Sequence, residues 1–307
     1  SIALAAVLLF TACSPKAPAA AEKTEIRLGL LPVLDVLPMV VAQQEGLFSA
    51  HNLDVEIIPV ASAPERDQLI AAGQADGIMN ELTSVLFLNK DKQQVQAIRF
   101  ARAATTDQAL FSLVSGKASQ LSTIDALKEQ PIGISQGTVI EYVTDRLLDQ
   151  AGFSAADKNF VPVPKIPDRL ALLGKGELKA ATLPEPFVSM SLAQGDTVLL
   201  DDRALPAVSF SIITFRTDFL QRHPEAAKAF LAAVEEAVQQ INATPDKFSS
   251  LMVDQKMVPA TLGSSFKVPS YPLAGVPSEA QFDDVRLWLK DKGYLDTAQT
   301  YNEAVNS

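Results

Sequence analysis

Apolar residues fall along the chain in two alternating rhythms. Short, almost uninterrupted apolar runs predict buried strands, and stretches with an apolar residue every third or fourth position predict amphipathic helices. The first strand is Ile26–Leu31. Pro32 blocks its ladder, Leu31–Asp35 forms a loop, and from Val36 the spacing turns helical (Val36, Met39, Val40, Leu47), with Gly46 as a stop. Strands at Asp54–Val60, Asp76–Met79, Val95–Ala101 and Leu110–Val114 follow, with helices over Ala63–Ala72 and from the Asn80–Thr83 turn to about Leu88. A second set has a helix over Ser122–Glu129, a strand over Pro131–Ser135, and a long helix capped by Thr138 and stopped by Gly152. Its remaining strands are Val161–Val163, Ala180–Thr182 and Thr197–Leu200, and its helices Arg169–Leu173 and Glu185–Ala193. Last come the strand Val208–Phe215 and helices His223–Ile241, Asp246–Val253 and Glu279–Lys292. Strands alternating with helices predict an α/β protein with mainly parallel sheets. Two sets of similar size predict two lobes, residues 25–114 with 208–307 and residues 115–207. The chain would cross between them near Val114–Gly116 and Ala207–Ser211.

The amino terminus has another character. Ile2–Phe10 is uninterrupted apolar sequence, too short for a bilayer, which takes about 20 residues. With Thr11-Ala12-Cys13 it resembles the end of a bacterial lipoprotein signal peptide, although Phe10 stands where leucine is usual. An ordinary secretory signal with an incidental cysteine is the other reading. Cys13 is the sole cysteine, so it is the expected lipidation site and no disulfide can form within the chain. Residues 14–24, rich in Ala and Pro, read as a flexible tether. These features predict an extracytoplasmic protein held to the membrane by lipid.

Composition narrows the classes. The sequence is 48% hydrophobic and 20% charged, which indicates a globular fold, and its net charge of −10 argues against a nucleic-acid partner. His51 and His223 are the only histidines and are far apart, so neither a metal site nor a cofactor is expected. No G-x-S-x-G, H-E-x-x-H or G-x-x-x-x-G-K-[ST] motif occurs.

Five segments in order carry a family likeness: Gly29–Pro32, Ala42–Phe48 (AQQEGLF), Gly73–Gly77 (GQADG), Ile132–Thr138 (IGISQGT) and Pro184–Phe187 (PEPF). The chain resembles the solute-binding proteins of bacterial ABC importers, in the group that includes binders of nitrate, taurine, aliphatic sulfonates and thiamine pyrimidine precursors. The resemblance implies a two-lobed type II periplasmic binding protein fold with mixed sheets flanked by helices and a ligand cleft between the lobes. It also implies hinge closure, a monomeric receptor and a membrane permease as partner.

Ligands in such sheets sit at the carboxyl ends of strands. That rule selects Pro32, Val33, Leu34 and Asp35, then Asn80, Glu81 and Thr83, on the first lobe. On the second it selects Ser135, Gln136, Gly137 and Thr138, with Tyr142 one turn on, and Glu185 and Phe187. Each has a plainer reading. Thr138 or one of the Asn80–Thr83 residues caps a helix, Tyr142 and Phe187 pack in the core, and Glu185 is a solvated first-turn acid. The loops hold Asp35, Glu81 and Glu185, with Glu141 close by, but no Arg or Lys; Arg66, next to Glu65, reads as a helix-surface pair. Burying an unpaired anion is costly, so these loops predict a neutral or cationic nitrogenous solute, such as an aminopyrimidine-like ring. An oxyanion such as a sulfonate or nitrate is the alternative. Two readings of other classes stand beside it: a pyrimidine-synthase-like enzyme on the same fold, and a ligand-sensing partner of a signalling receptor.

Overall fold

The computed structural model describes residues 23–263 and 266–306, so the signal, Cys13 and nearly all of the tether lie outside the described residues. In chain order the first elements are β1 (Thr24–Leu30), α1 (Leu37–Gln44), α2 (Leu47–Ala50), β2 (Leu53–Pro59), α3 (Ala63–Ala71), β3 (Gly77–Asn80), α4 (Leu82–Leu88) and β4 (Val95–Ala103). The middle holds β5 (Phe111–Ser115), β6 (Pro131–Ile134), α5 (Val139–Gln150), β7 (Asn159–Pro162), α6 (Ile166–Lys175), β8 (Ala180–Pro184), α7 (Phe187–Ala193) and β9 (Thr197–Asp201). The chain ends with β10 (Phe210–Arg216), α8 (Thr217–Arg222), α9 (Pro224–Ala243), α10 (Ser249–Asp254), α11 (Glu279–Asp291) and α12 (Tyr301–Ala304).

Two five-stranded sheets share one plan. The first has the order β2-β1-β3-β10-β4 and the second β7-β6-β8-β5-β9. In each, three parallel strands are followed by one antiparallel strand, β10 or β5, which is the first strand the chain lays down after crossing over. This is the α/β two-lobed type II architecture. The first crossing runs through residues 104–110, earlier than the sequence suggested, and the second through 202–209. The strand expected at Leu110–Val114 therefore belongs to the second sheet, where it pairs with β8 and β9. The helix expected over Ser122–Glu129 is only a single tight turn, Asp125–Leu127, because Leu127 alone in that turn reaches the core.

Local chemistry sets the element ends. The Thr138 hydroxyl accepts from the Ile140 N–H at 3.2 Å and starts α5, and Gly176, at φ +75°, ends α6. Gly77 answers a packing demand: a Cβ there would lie 2.7 Å from the ring of its strand partner Phe215. Around this ring the core closes, with Phe230 of α9 at 5.0 Å and Phe48 stacked on Phe230 at 5.3 Å. The apolar face of α9 (Phe230, Ala233, Val234, Ala237, Val238, Ile241) is wholly buried against α1, α2 and β2.

The carboxyl-terminal segment touches both sheets. α11 packs on α4, and Asn306 N–H donates to Ala97 O at 2.8 Å on β4. On its other flank Trp288 Nε1 donates to Asp145 of α5 at 2.9 Å, and Arg146 reaches Asp284 at 2.6 Å. Among the described residues no helix is long and apolar enough to cross a membrane.

Candidate functional site: a cavity between the sheets

The strand ends of the two sheets face one another across a cavity of about 60 Å³. That volume takes on the order of five waters, or a small polyatomic group. Its walls are mainly apolar: Leu31, Val33 and Met79 from the first lobe, Phe111, Ile140 and Ile166 from the second. The polar groups set into them are Asp35, Arg66, Glu81 and Ser211 on one side and Ser135, Thr138 and Arg169 on the other.

The charges are unequally matched. Arg66, only 2% exposed, is held from three sides. It donates to both Glu81 carboxylate oxygens at 3.0 and 3.1 Å, to Asp67 at 2.8 Å and to Met79 O at 3.2 Å. Burial opposes its charge, but Asp67 and Glu81 outweigh it and hold Arg66 above the ordinary arginine range. Asp35 faces Arg102 at 3.5 Å, and Arg102 also donates to Ala109 O at 3.1 Å. Arg169 has no such partner. It is fully buried, and its one hydrogen bond runs from Nη1 to Val163 O at 2.9 Å. Among the described residues Nε and Nη2 have no acceptor, no carboxylate pairs with it, and burial alone lowers its pKa to about 10. The hydroxyls of Ser135 and Ser211, on opposite walls of the cavity, are likewise buried without a partner among the described residues. A buried guanidinium with two free donor positions and two free hydroxyls is suited to an anionic oxygen group.

Of the predicted site residues, Val33, Asp35, Glu81, Ser135 and Thr138 line this cavity. Thr138 spends its hydroxyl on the Ser135 carbonyl and the Ile140 N–H, so it is the helix cap of the plainer reading. Pro32 and Phe187 face each other across a second, larger groove with Met190 and Val258, and Leu34 and Glu185 line a third with Arg102. Glu185 accepts from Ser189 N–H and Oγ at 3.2 and 3.1 Å, and burial raises its pKa. Five residues lie off the walls of all three. Asn80 is locked between Ser84 (2.9 Å) and Thr214 (2.6 Å) as part of the frame behind Asp67. Thr83 is buried within α4, its hydroxyl without a partner. Tyr142 gives its hydroxyl to Asp284 and packs edge-on to Trp288, while Gln136 and Gly137 turn toward Tyr294 and Glu141.

Two charged residues stand elsewhere than the sequence pattern of the loops indicates. Arg66 is a buried member of the site rather than half of a surface pair. Arg169, on helix α6, supplies at the cavity a cation that the loops themselves lack. Its signal is present in the sequence: Ile166, Arg169, Leu170 and Leu173 follow the i, i+3, i+4, i+7 stripe of a buried helix face, with arginine in an apolar slot.

Comparison with known proteins agrees with this architecture. A Haemophilus influenzae protein named for thiamine biosynthesis is 26% identical over 244 residues, covering 77% of this chain and 74% of that one. The nitrate/nitrite binding protein NrtA of Nostoc is 25% identical over 246 residues, covering 74% of this chain but 56% of its own length. Among solved structures, the alkanesulfonate-binding protein SsuA of Xanthomonas axonopodis pv. citri bound to MOPS superposes with a TM-score of 0.79 at 16% identity, covering 94% of this chain and 99% of that one. The NMT1-like family profile matches residues 19–253, more than two thirds of the sequence, and the chain belongs to the NMT1-like family.

Proposed function

We propose that this protein is the extracytoplasmic solute-binding component of an ABC-type importer, and that its solute is a small organic anion. The observation that carries the ligand class is Arg169, a buried cation in the cleft with unused donors and, among the described residues, no carboxylate against it. An ionised arginine held in an apolar wall is costly by itself, and a ligand carboxylate or sulfonate offsets that cost. The apolar remainder of the cavity favours a short hydrocarbon body over a fully hydrated ion. This reading replaces the neutral or cationic solute expected from the loops. It is in keeping with relatives named for nitrate and alkanesulfonate binding.

Capture would proceed by closure of the two lobes about the crossings at 104–110 and 202–209. Those strands are tied by Ala104 N–H to Ser209 O at 2.9 Å and by Asp202, which accepts from Phe111 N–H at 2.9 Å. Delivery to a permease, and a lipid anchor at Cys13, complete the proposal. Calorimetric titration tests the ligand class with methanesulfonate, acetate, benzoate and nitrate against alkylamines and an aminopyrimidine. We expect binding of short organic anions and its loss in Arg169→Met. Binding of the amines or the pyrimidine with none of the anions would overturn it, and turnover of any bound compound would move the protein to the enzyme class.

A further inference from the structure

The amino-terminal end of α5 lies at the cavity wall, where Thr138, Val139 and Ile140 line it, and a helix start is a usual place for a ligand anion. Here a carboxylate of the protein fills that place from behind. Glu141, 4% exposed, accepts from Gly137 N–H at 2.8 Å, and Tyr294 donates its hydroxyl to the same carboxylate at 2.9 Å. Gln136 Nε2 donates to Tyr294 at 3.0 Å, so a residue beyond α11 clamps both the acid and the loop. No cation pairs with Glu141 among the described residues. The lysines nearby are committed one turn lower, where Lys158 and Lys292 hold Asp145 at 2.7 and 2.9 Å. Asp35 and Glu81, the acids on the cavity wall, each face an arginine. The cleft thus carries Arg169, a positive charge with no counter-ion among the described residues, and, bonded to Gly137 between the wall residues Ser135 and Thr138, the carboxylate of Glu141, also with none; Glu81 shares Arg66 with Asp67, and Glu185 lines a separate groove.

We propose that Glu141 is a specificity-determining residue that limits the cleft to monoanions: the single charge of the ligand goes to Arg169, and a second charge meets the field of Glu141. The proposal rests on the anion reading above. It is tested with two tetrahedral probes of similar size, methanesulfonate (one charge) and sulfate (two), titrated calorimetrically into the wild-type full-length chain and into Glu141→Gln. The glutamine keeps an oxygen for the Gly137 N–H. Sulfate is the more strongly hydrated ion in both proteins, so the informative quantity is the change in the ratio of the two Kd values. We expect wild type to bind methanesulfonate more than tenfold better than sulfate, and Glu141→Gln to narrow that ratio on the order of fivefold, as removal of one nearby charge predicts. A general loss of folding quality moves both affinities together and leaves the ratio alone. Wild type binding both probes equally, or a ratio unmoved in a folded Glu141→Gln, overturns the role of Glu141 alone. Should Glu141→Gln not fold, Glu141→Ala, which removes the same charge, takes its place, and an unchanged ratio there is equally fatal. Absence of binding by either probe overturns the anion reading itself.

Discussion

Replacing Arg169 by methionine should make the ligand-free protein more stable while abolishing its binding. The guanidinium is fully buried, and its pKa is lowered from the ordinary arginine range to about 10 by desolvation with no compensating partner. At ~1.4 kcal/mol per pH unit, that corresponds to about 3 kcal/mol carried by the ligand-free fold. Methionine fills a similar volume and removes the charge, but it leaves the Val163 carbonyl without its 2.9 Å donor, a loss of about 1 kcal/mol. The net gain of about 2 kcal/mol corresponds to a rise in Tm of roughly 3–5 °C for a chain of this size. Differential scanning calorimetry without added anion reads the stability, and titration with methanesulfonate reads the affinity, which should fall on the order of 100-fold. Opposite signs in the two assays are the signature of a residue retained for its ligand at the expense of the fold. A Tm lowered by several degrees, with methanesulfonate affinity intact, would refute the reasoning, since Arg169 would then be an ordinary structural arginine.

Three further predictions follow from the same geometry. Ser135→Ala removes a buried hydroxyl that has no partner of its own, so methanesulfonate affinity should drop about 5- to 20-fold with Tm moved by no more than about a degree; an unchanged Kd would exclude Ser135 from the site. Burial pushes Asp202 up to about 6 against its hydrogen bonds from Ser209, Phe111 and Leu110. Its folded value lies above its unfolded one, so its contribution to stability is greatest below about pH 4 and falls as pH rises toward 6. In urea unfolding, wild type minus Asp202→Asn should therefore decline by about 2–3 kcal/mol from pH 4 to pH 7, and a flat difference would contradict that. Gly77→Ala forces a Cβ to within 2.7 Å of the Phe215 ring, and should cost about 1–3 kcal/mol in urea unfolding; full wild-type stability would show that the ring has room to move.

The legible parts of this chain were those fixed by local pattern. Pro32 after an apolar run, Thr138 before a helical one and Gly152 after it each mark a boundary through backbone chemistry, and the strand-end rule selects Val33, Asp35, Glu81, Ser135 and Thr138, which line the cavity. What failed depended on partners distant in sequence. Leu110–Val114 reads as a buried strand equally well in either sheet, and only its pairing with β8 and β9 assigns it. Tyr142 and Gln136 follow the strand-end rule locally, but their partners, Asp284 and Tyr294, come more than a hundred residues later and hold them away from the cavity. Arg169 is hidden for another reason: it rides on the apolar stripe of a helix, not in a strand-end loop.

The place of β10 between β3 and β4 governs the order in which the molecule can be assembled. Until residues 210–216 emerge during synthesis, β4 has no neighbour in its own sheet, and the flank of β3 lies bare beside it. The second sheet, by contrast, is contiguous from 111 to 201 and can zip up as soon as it is made. The half that begins the chain is therefore the last to be finished, and its unpaired edges are the natural place for a holding chaperone to act or for aggregation to begin.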